Sequence, residues 1–165
     1  MKTIILTGMM GAGKTSAAKL LAQKLNLKLF DIDQIIENNA KSSISEIFQK
    51  YGENYFRELE KKTILQTVKP ENMVAALGGG AFENPETQEF LLNNSTVIYL
   101  KTQPETIYER IKTDLTRPLL KNNMNIEKIR SIINEREKNY QKATFTIATD
   151  KKNIEQVVSE IIGVL

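Results

Sequence analysis

At 165 residues, with 41% hydrophobic and 26% charged residues, the chain is long enough to bury a core as one domain and too apolar to be disordered. It contains no Cys and no His, which excludes disulfides, thiolate or imidazole zinc sites, Cys nucleophiles and His general bases. A net charge of +3 comes from scattered lysines without a basic run, so a solvated mixed-charge surface is expected, with no nucleic-acid partner. Any metal must accept oxygen ligands, which points to a hard cation such as Mg2+ shared with a bound phosphate. No apolar run approaches the roughly 20 residues that span a bilayer, and Met1-Lys2 leads straight into a strand-like segment. No membrane association and a cytoplasmic location are therefore expected.

Residues 2–7 read as a buried strand, and 14–25 carry Ala17, Leu20, Leu21, Ala22 and Leu25 at helical spacing. A second short strand is expected over 27–32, then helices over 34–38, 44–51 and 53–68. A third apolar strand over 72–77 stops abruptly at Gly78, Gly79 and Gly80, and a helix over 85–92 begins through Asn84 and Pro85. Strand 96–100, helix 104–111, a polar stretch over 112–125 broken by Pro118, a long helix over 126–142, strand 144–148 and helix 154–162 complete the pattern. Short buried strands alternating with helices specify an α/β chain whose parallel sheet is covered on both faces. Ligands of such sheets bind at the carboxyl ends of the strands. No repeat or linker composition divides the chain, so 33–68 and 112–125 read as insertions into one domain.

Between the first strand and the first helix, Gly8-Met9-Met10-Gly11-Ala12-Gly13-Lys14-Thr15 matches G-x-x-x-x-G-K-[ST]. Its glycines let consecutive N–H groups surround phosphate oxygens, and the following helix adds the positive end of its dipole. Gly11, Ala12, Gly13, Lys14, Thr15 and Ser16 are the residues expected around a nucleoside triphosphate. Lys14 reaches the β- and γ-phosphates, and the Thr15 hydroxyl is a magnesium ligand.

The acceptor side is read from FDIDQIIE, residues 30–37, which puts Asp31 and Asp33 two apart at the end of the second strand. In an extended segment both carboxylates share one face, one for the magnesium shell and one for a substrate hydroxyl. The competing reading is a helix cap before Gln34 with an ordinary neighbour. The third strand ends in glycine where many P-loop proteins carry a magnesium-binding Asp, which makes Asp31 the best available carboxylate. The same glycines either bring backbone N–H groups to a substrate or form a tight bend. Only five of the 23 basic residues are arginine: Arg57, Arg110, Arg117, Arg130 and Arg136. Arginine suits planar, bidentate gripping of carboxylate or phosphate, although each one alone is equally suited to a surface ion pair. Arg57 has Glu60 one turn on to orient it, and Arg136 precedes Tyr140 by four.

Taken together, GMMGAGKTS, FDIDQIIE, GENYFRELE, LGGG, the Arg110 to Leu120 stretch with RPLL, and NEREKNYQKA resemble the shikimate kinase family over nearly the whole chain. The P-loop is common to many proteins, whereas the order and spacing of the other five segments are specific. The resemblance implies ATP-dependent phosphorylation of the 3-hydroxyl of shikimate, in the route to chorismate and aromatic amino acids. It implies a three-layer α/β/α P-loop NTPase fold of the nucleoside-monophosphate-kinase type, with a five-stranded parallel sheet in the order 2-3-1-4-5. It also implies that Asp33, Arg57, Gly78, Gly79, Gly80 and Arg136 hold shikimate, the two arginines taking its carboxylate. Asp31 and Thr15 would serve magnesium, with Lys14, Asp33 and Arg117 catalytic. One domain, 1–165, would contain a shikimate-binding insertion at 33–60 and a lid at 112–124 that delivers Arg117 to the phosphates; Arg110 would lie near adenine. The lid departs from the family pattern in being polar and lysine-rich outside its Arg-Pro-Leu-Leu, so Lys112 and Lys121 receive no role.

Two rivals follow from the same residues. One is a kinase of this fold acting on gluconate or a nucleoside monophosphate, although Asp33 suits a hydroxyl acceptor better than a phosphate. The other is a nucleotide-dependent regulator without a transferable acceptor. A monomer is expected, since the sequence shows no coiled-coil seam or long apolar surface stripe.

Overall fold

The computed structural model describes residues 3–112 and 125–165. Five strands, β1 (Thr3–Thr7), β2 (Lys28–Asp31), β3 (Met73–Ala76), β4 (Thr96–Lys101) and β5 (Phe145–Ala148), form one sheet in the order β2-β3-β1-β4-β5. Every pairing is parallel; Thr3 faces Met73 across β1 and β3, and Ile4 faces Thr96 across β1 and β4.

The alternation of side chains along the strands builds two cores, one on each face. Ile5, Met73, Ala75, Val97 and Tyr99 point to one face, where they meet residues of the acceptor-side helices such as Ile36, Phe56 and Ile64. Ile4, Leu6, Val74, Ala76, Ile98 and Leu100 point to the other, against Ala17, Leu21, Val158 and Ile161. This is the expected sheet covered on both sides. A smaller cluster of Met9, Met10, Ile107, Ile111 and Ile129 supports the glycine loop.

The helices are α1 (Lys14–Leu25), α2 (Ile32–Ala40), α3 (Ile44–Thr67), α4 (Pro85–Asn94), α5 (Pro104–Ile111), α6 (Ile126–Tyr140) and α7 (Ile154–Val164). Helix α3 starts in a reciprocal cap, Ser43 with Glu46, and is broken at Gly52, whose φ of 82° is not helical. The two helices expected there are thus two helical segments joined at that residue. Helix α4 begins as its sequence implies, with Asn84 accepting from the Thr87 N–H and Pro85 in the first turn.

Several boundaries shift by one or two residues from expectation, and two shift at helix ends with a clear cause. Helix α2 starts at Ile32, because the Asp31 side chain accepts from the Gln34 N–H and caps it. Helix α6 stops at Tyr140, where Gln141 closes the last turn. Among the described residues, no helix is long and apolar enough to cross a membrane.

Candidate active site

β1 runs into its glycine loop at the carboxyl end of the sheet. Gly8 has a φ of 139°, and a Cβ there would lie 2.7 Å from the Leu100 carbonyl oxygen, so only glycine lets the chain turn beside β4. Lys14 opens α1 and is buried; its ammonium donates to the carbonyls of Gly8 and Met9, both at 2.9 Å. A cleft of about 250 Å³ lies over the loop. Gly11, Gly13, Lys14, Thr15 and Ser16 line it together with Asp31, Asp33, Gly78, Gly79 and Arg110. Arg110 donates to the Gly11 carbonyl at 3.1 Å and to the Thr149 hydroxyl at 3.4 Å.

In the same cleft the Thr15 hydroxyl donates to Asp31 Oδ2 at 2.9 Å. A hydroxyl beside a carboxylate is a hard-oxygen donor pair that fits magnesium. Among the described residues no three acidic side chains cluster as a metal cage, so the remaining ligands of such an ion would be phosphate oxygens and water.

A recess beyond Gly79 adjoins this cleft and shares Met10, Asp33, Gly78 and Gly79 with it. Ile44, Phe48 and Phe56 give the recess an apolar side, while Arg57, Glu60 and Arg136 give it a charged one. Arg57 donates to Glu60 Oε2 at 2.8 Å and to Glu53 Oε1 at 3.2 Å, so its fork is held by two carboxylates from α3. Its guanidinium lies against the glycines that follow β3. A Cβ on Gly80 would come within 2.5–2.7 Å of three guanidinium atoms, so glycine there is a clearance for Arg57. Burial pushes the Glu60 carboxyl up to about 6, against the Arg57 cation and with the help of Asp33. Glu60 Oε1 and Arg136 Nη1 are buried, and neither has a hydrogen-bond partner among the described residues.

The sheet brings Lys14, Thr15, Asp31, Asp33, the three glycines, Arg57 and Arg136 to the carboxyl ends of β1, β2 and β3. One reading is corrected. Asp33 does not sit in an extended segment sharing a face with Asp31; it lies in the first turn of α2, with Asp31 capping that helix. Both carboxylates still line the cleft. The competing cap reading of Asp31 and its metal reading describe one residue, whose Oδ1 caps α2 and whose Oδ2 takes Thr15. Arg117 and the expected lid, apart from Lys112, lie outside the described residues. Arg130 sits on the surface, paired with Glu127 and Glu105.

Sequence reasoning misses the recess's apolar side. Ile44, Phe48 and Phe56 stand in the sequence as ordinary helical apolar positions, and only the meeting of α3 with the glycines after β3 makes them line a cavity. Met10 occupies an unconstrained position of the G-x-x-x-x-G-K-[ST] pattern, yet the fold puts it at the junction of both cavities.

The family model described as shikimate kinase matches residues 10–165. The shikimate kinase of Sulfurihydrogenibium sp. (strain YO3AOP1) is 43% identical over 162 residues, covering 98% of this chain and 96% of that protein. That of Persephonella marina is 42% identical over 163 residues, covering 99% and 98%. Among solved structures, shikimate kinase from Acinetobacter baumannii in complex with shikimate superposes with a TM-score of 0.96 at 33% identity, covering 99% of this chain and 92% of its own.

Proposed function

The chain belongs to the shikimate kinase family, and on that premise we propose that it transfers the γ-phosphate of ATP to the 3-hydroxyl of shikimate, giving shikimate 3-phosphate and ADP. The observation that carries this reading is the joining of two cavities at Gly78 and Gly79. One is a phosphate cradle; the other presents two arginines and a carboxylate suited to a hydroxylated acid.

On the nucleotide side, Gly11, Ala12, Gly13 and Ser16 supply backbone donors around the phosphates, and Lys14 exchanges its two loop carbonyls for phosphate oxygens. Arg110 borders the adenine end. Thr15 and Asp31 would hold magnesium, directly or through water, and when bound it would supply positive charge beside the phosphates. On the acceptor side, Arg57 and Arg136 grip the carboxylate of shikimate, assisted by the backbone of Gly78, Gly79 and Gly80. Asp33, in both cavities, accepts a hydrogen bond from the attacking hydroxyl and orients it in line. The loose transition state demands little basicity, so orientation is its main contribution. The acceptor-binding part is residues 33–60 within a single domain, and the enzyme works as a cytoplasmic monomer.

A coupled ADP-release assay with shikimate, gluconate, CMP and AMP tests the reading. Turnover is expected on shikimate alone, to require magnesium or manganese, and to vanish with EDTA. Equal or greater turnover on gluconate or a nucleotide would replace the substrate, and nucleotide binding without turnover on any acceptor would point to a regulator.

A further inference from the structure

Resting on that reading, we propose that Tyr140 is a positioning residue for the acceptor site: its hydroxyl sets the plane of the Gly79–Gly80 peptide and steadies Arg136 against the same loop. Tyr140 ends α6 one turn after Arg136 and is fully buried. Its hydroxyl donates to the Gly79 carbonyl, a partner 61 positions away in the chain. Burial pushes the phenol up to about 12 against the nearby Arg136 cation, so the hydroxyl remains a donor throughout the neutral range.

The geometry turns this contact into an aiming device. In a trans peptide the C=O and the following N–H point in opposite directions within one plane. Gripping the Gly79 oxygen on the Tyr140 side therefore directs the Gly80 N–H the other way. That peptide also lies between the two arginines. A Cβ on Gly79 would stand 3.3 Å from Arg136 Nη1, and one on Gly80 would meet the Arg57 guanidinium. Rotating the peptide would misplace the backbone donor and disturb the surface against which both guanidinium groups rest.

The ring that carries the hydroxyl is anchored independently of the loop. Tyr99 on β4 stacks on Tyr140 with centroids 4.7 Å apart and planes 23° from parallel. The Tyr99 hydroxyl in turn donates to Glu137 Oε2 at 2.8 Å, while Glu137 Oε1 takes Lys101 at 2.6 Å. The sheet thus holds the ring, and the ring holds the loop. A residue serving only as packing would need the ring alone.

The test compares wild type, Tyr140→Phe, Tyr99→Phe, Arg136→Lys and the Tyr140→Phe/Arg136→Lys double variant. The measurements are KM for shikimate, kcat, ATP affinity without shikimate, and melting temperature. Tyr140→Phe keeps the stack and removes one hydrogen bond, so KM for shikimate should rise about five- to tenfold with kcat within about twofold and ATP affinity unchanged. Tyr99→Phe removes a hydroxyl from the same cluster without touching the loop; it should lower the melting temperature and leave KM unmoved. The double variant should raise KM by less than the product of the single effects, since both act through one loop. An unchanged KM in Tyr140→Phe, or an equal rise in Tyr99→Phe, would overturn the proposal while leaving the functional reading intact. A wild type that does not turn over shikimate would overturn both.

Discussion

The two cavities that meet at Gly79 are built on different principles. The cleft proposed for the nucleotide is built mainly on one short stretch of backbone, residues 8–16, and the donors it offers there are peptide N–H groups and one lysine. The acceptor recess has no such local unit. It takes Asp33 from α2, Arg57 and Glu60 from α3, the glycines after β3 and Arg136 from α6. Its charged groups are held by other side chains and by space left vacant at glycine. A backbone site needs only the right φ angles, whereas a side-chain site needs a second layer of residues to keep each donor in place.

The largest expected contrast comes from Lys14→Ala. It removes the ammonium that the glycine loop encloses, and should cost roughly 3 kcal/mol or more of transition-state stabilisation. The fold should persist. Steady-state kinetics with a circular-dichroism melt would check this, and near-normal turnover would remove the loop from the catalytic account.

The second contrast is in stability, and it isolates the acceptor half. The Glu60 carboxyl titrates near 6 in the folded protein, against about 4.5 when unperturbed. The folded state therefore binds the proton more tightly, so this group's contribution is fully present below about 4.5 and is lost as pH rises through about 6. The loss amounts to about 2 kcal/mol for a shift of this size. Denaturant unfolding at pH 4.5 and pH 7 should show the wild type losing about that much relative to Glu60→Gln. Parallel profiles would mean that burial does not govern this carboxyl.

The smallest effect is the most specific. Arg57→Lys keeps the charge but loses the planar fork held by Glu53 and Glu60, and should weaken shikimate binding about tenfold with ATP affinity unchanged. Gly80→Ala should act in the same direction, because the added methyl displaces the same guanidinium. Calorimetry with each ligand separately would read both. A matching loss of ATP affinity would show that the two halves are not independent.

The same division governs what is legible in the sequence. The sheet, its coverage on both faces and the glycine loop follow from local pattern: short, continuously apolar strands, helical spacing and the G-x-x-x-x-G-K-[ST] run between β1 and α1. The sequence sends Asp33 to the cleft it lines for the wrong local reason, since the onset of a helix at Ile32 depends on a cap that competes with strand extension. The apolar side of the recess, the place of Met10 and the grip of Tyr140 on Gly79 are not legible. Each depends on contacts between segments far apart in the chain, for which periodicity carries no signal. Tyr140 stands in a recognisable pattern with Arg136, but only the fold reveals that its hydroxyl ends on a glycine carbonyl.

The parallel register of β1 has a consequence for biosynthesis. Its first partner is β3, Thr3 against Met73, and its second is β4, Ile4 against Thr96. A ribosome adding about 5–20 residues per second leaves the strand TIILT without any sheet neighbour for roughly 4–14 s after it is made. During that interval three consecutive apolar side chains, Ile4 to Leu6, and their backbone groups face water or whatever else binds extended chain. The central strand of the finished enzyme is thus, among the described strands, the one that waits longest for a sheet neighbour, and slowing translation before codon 73 should lower the soluble yield.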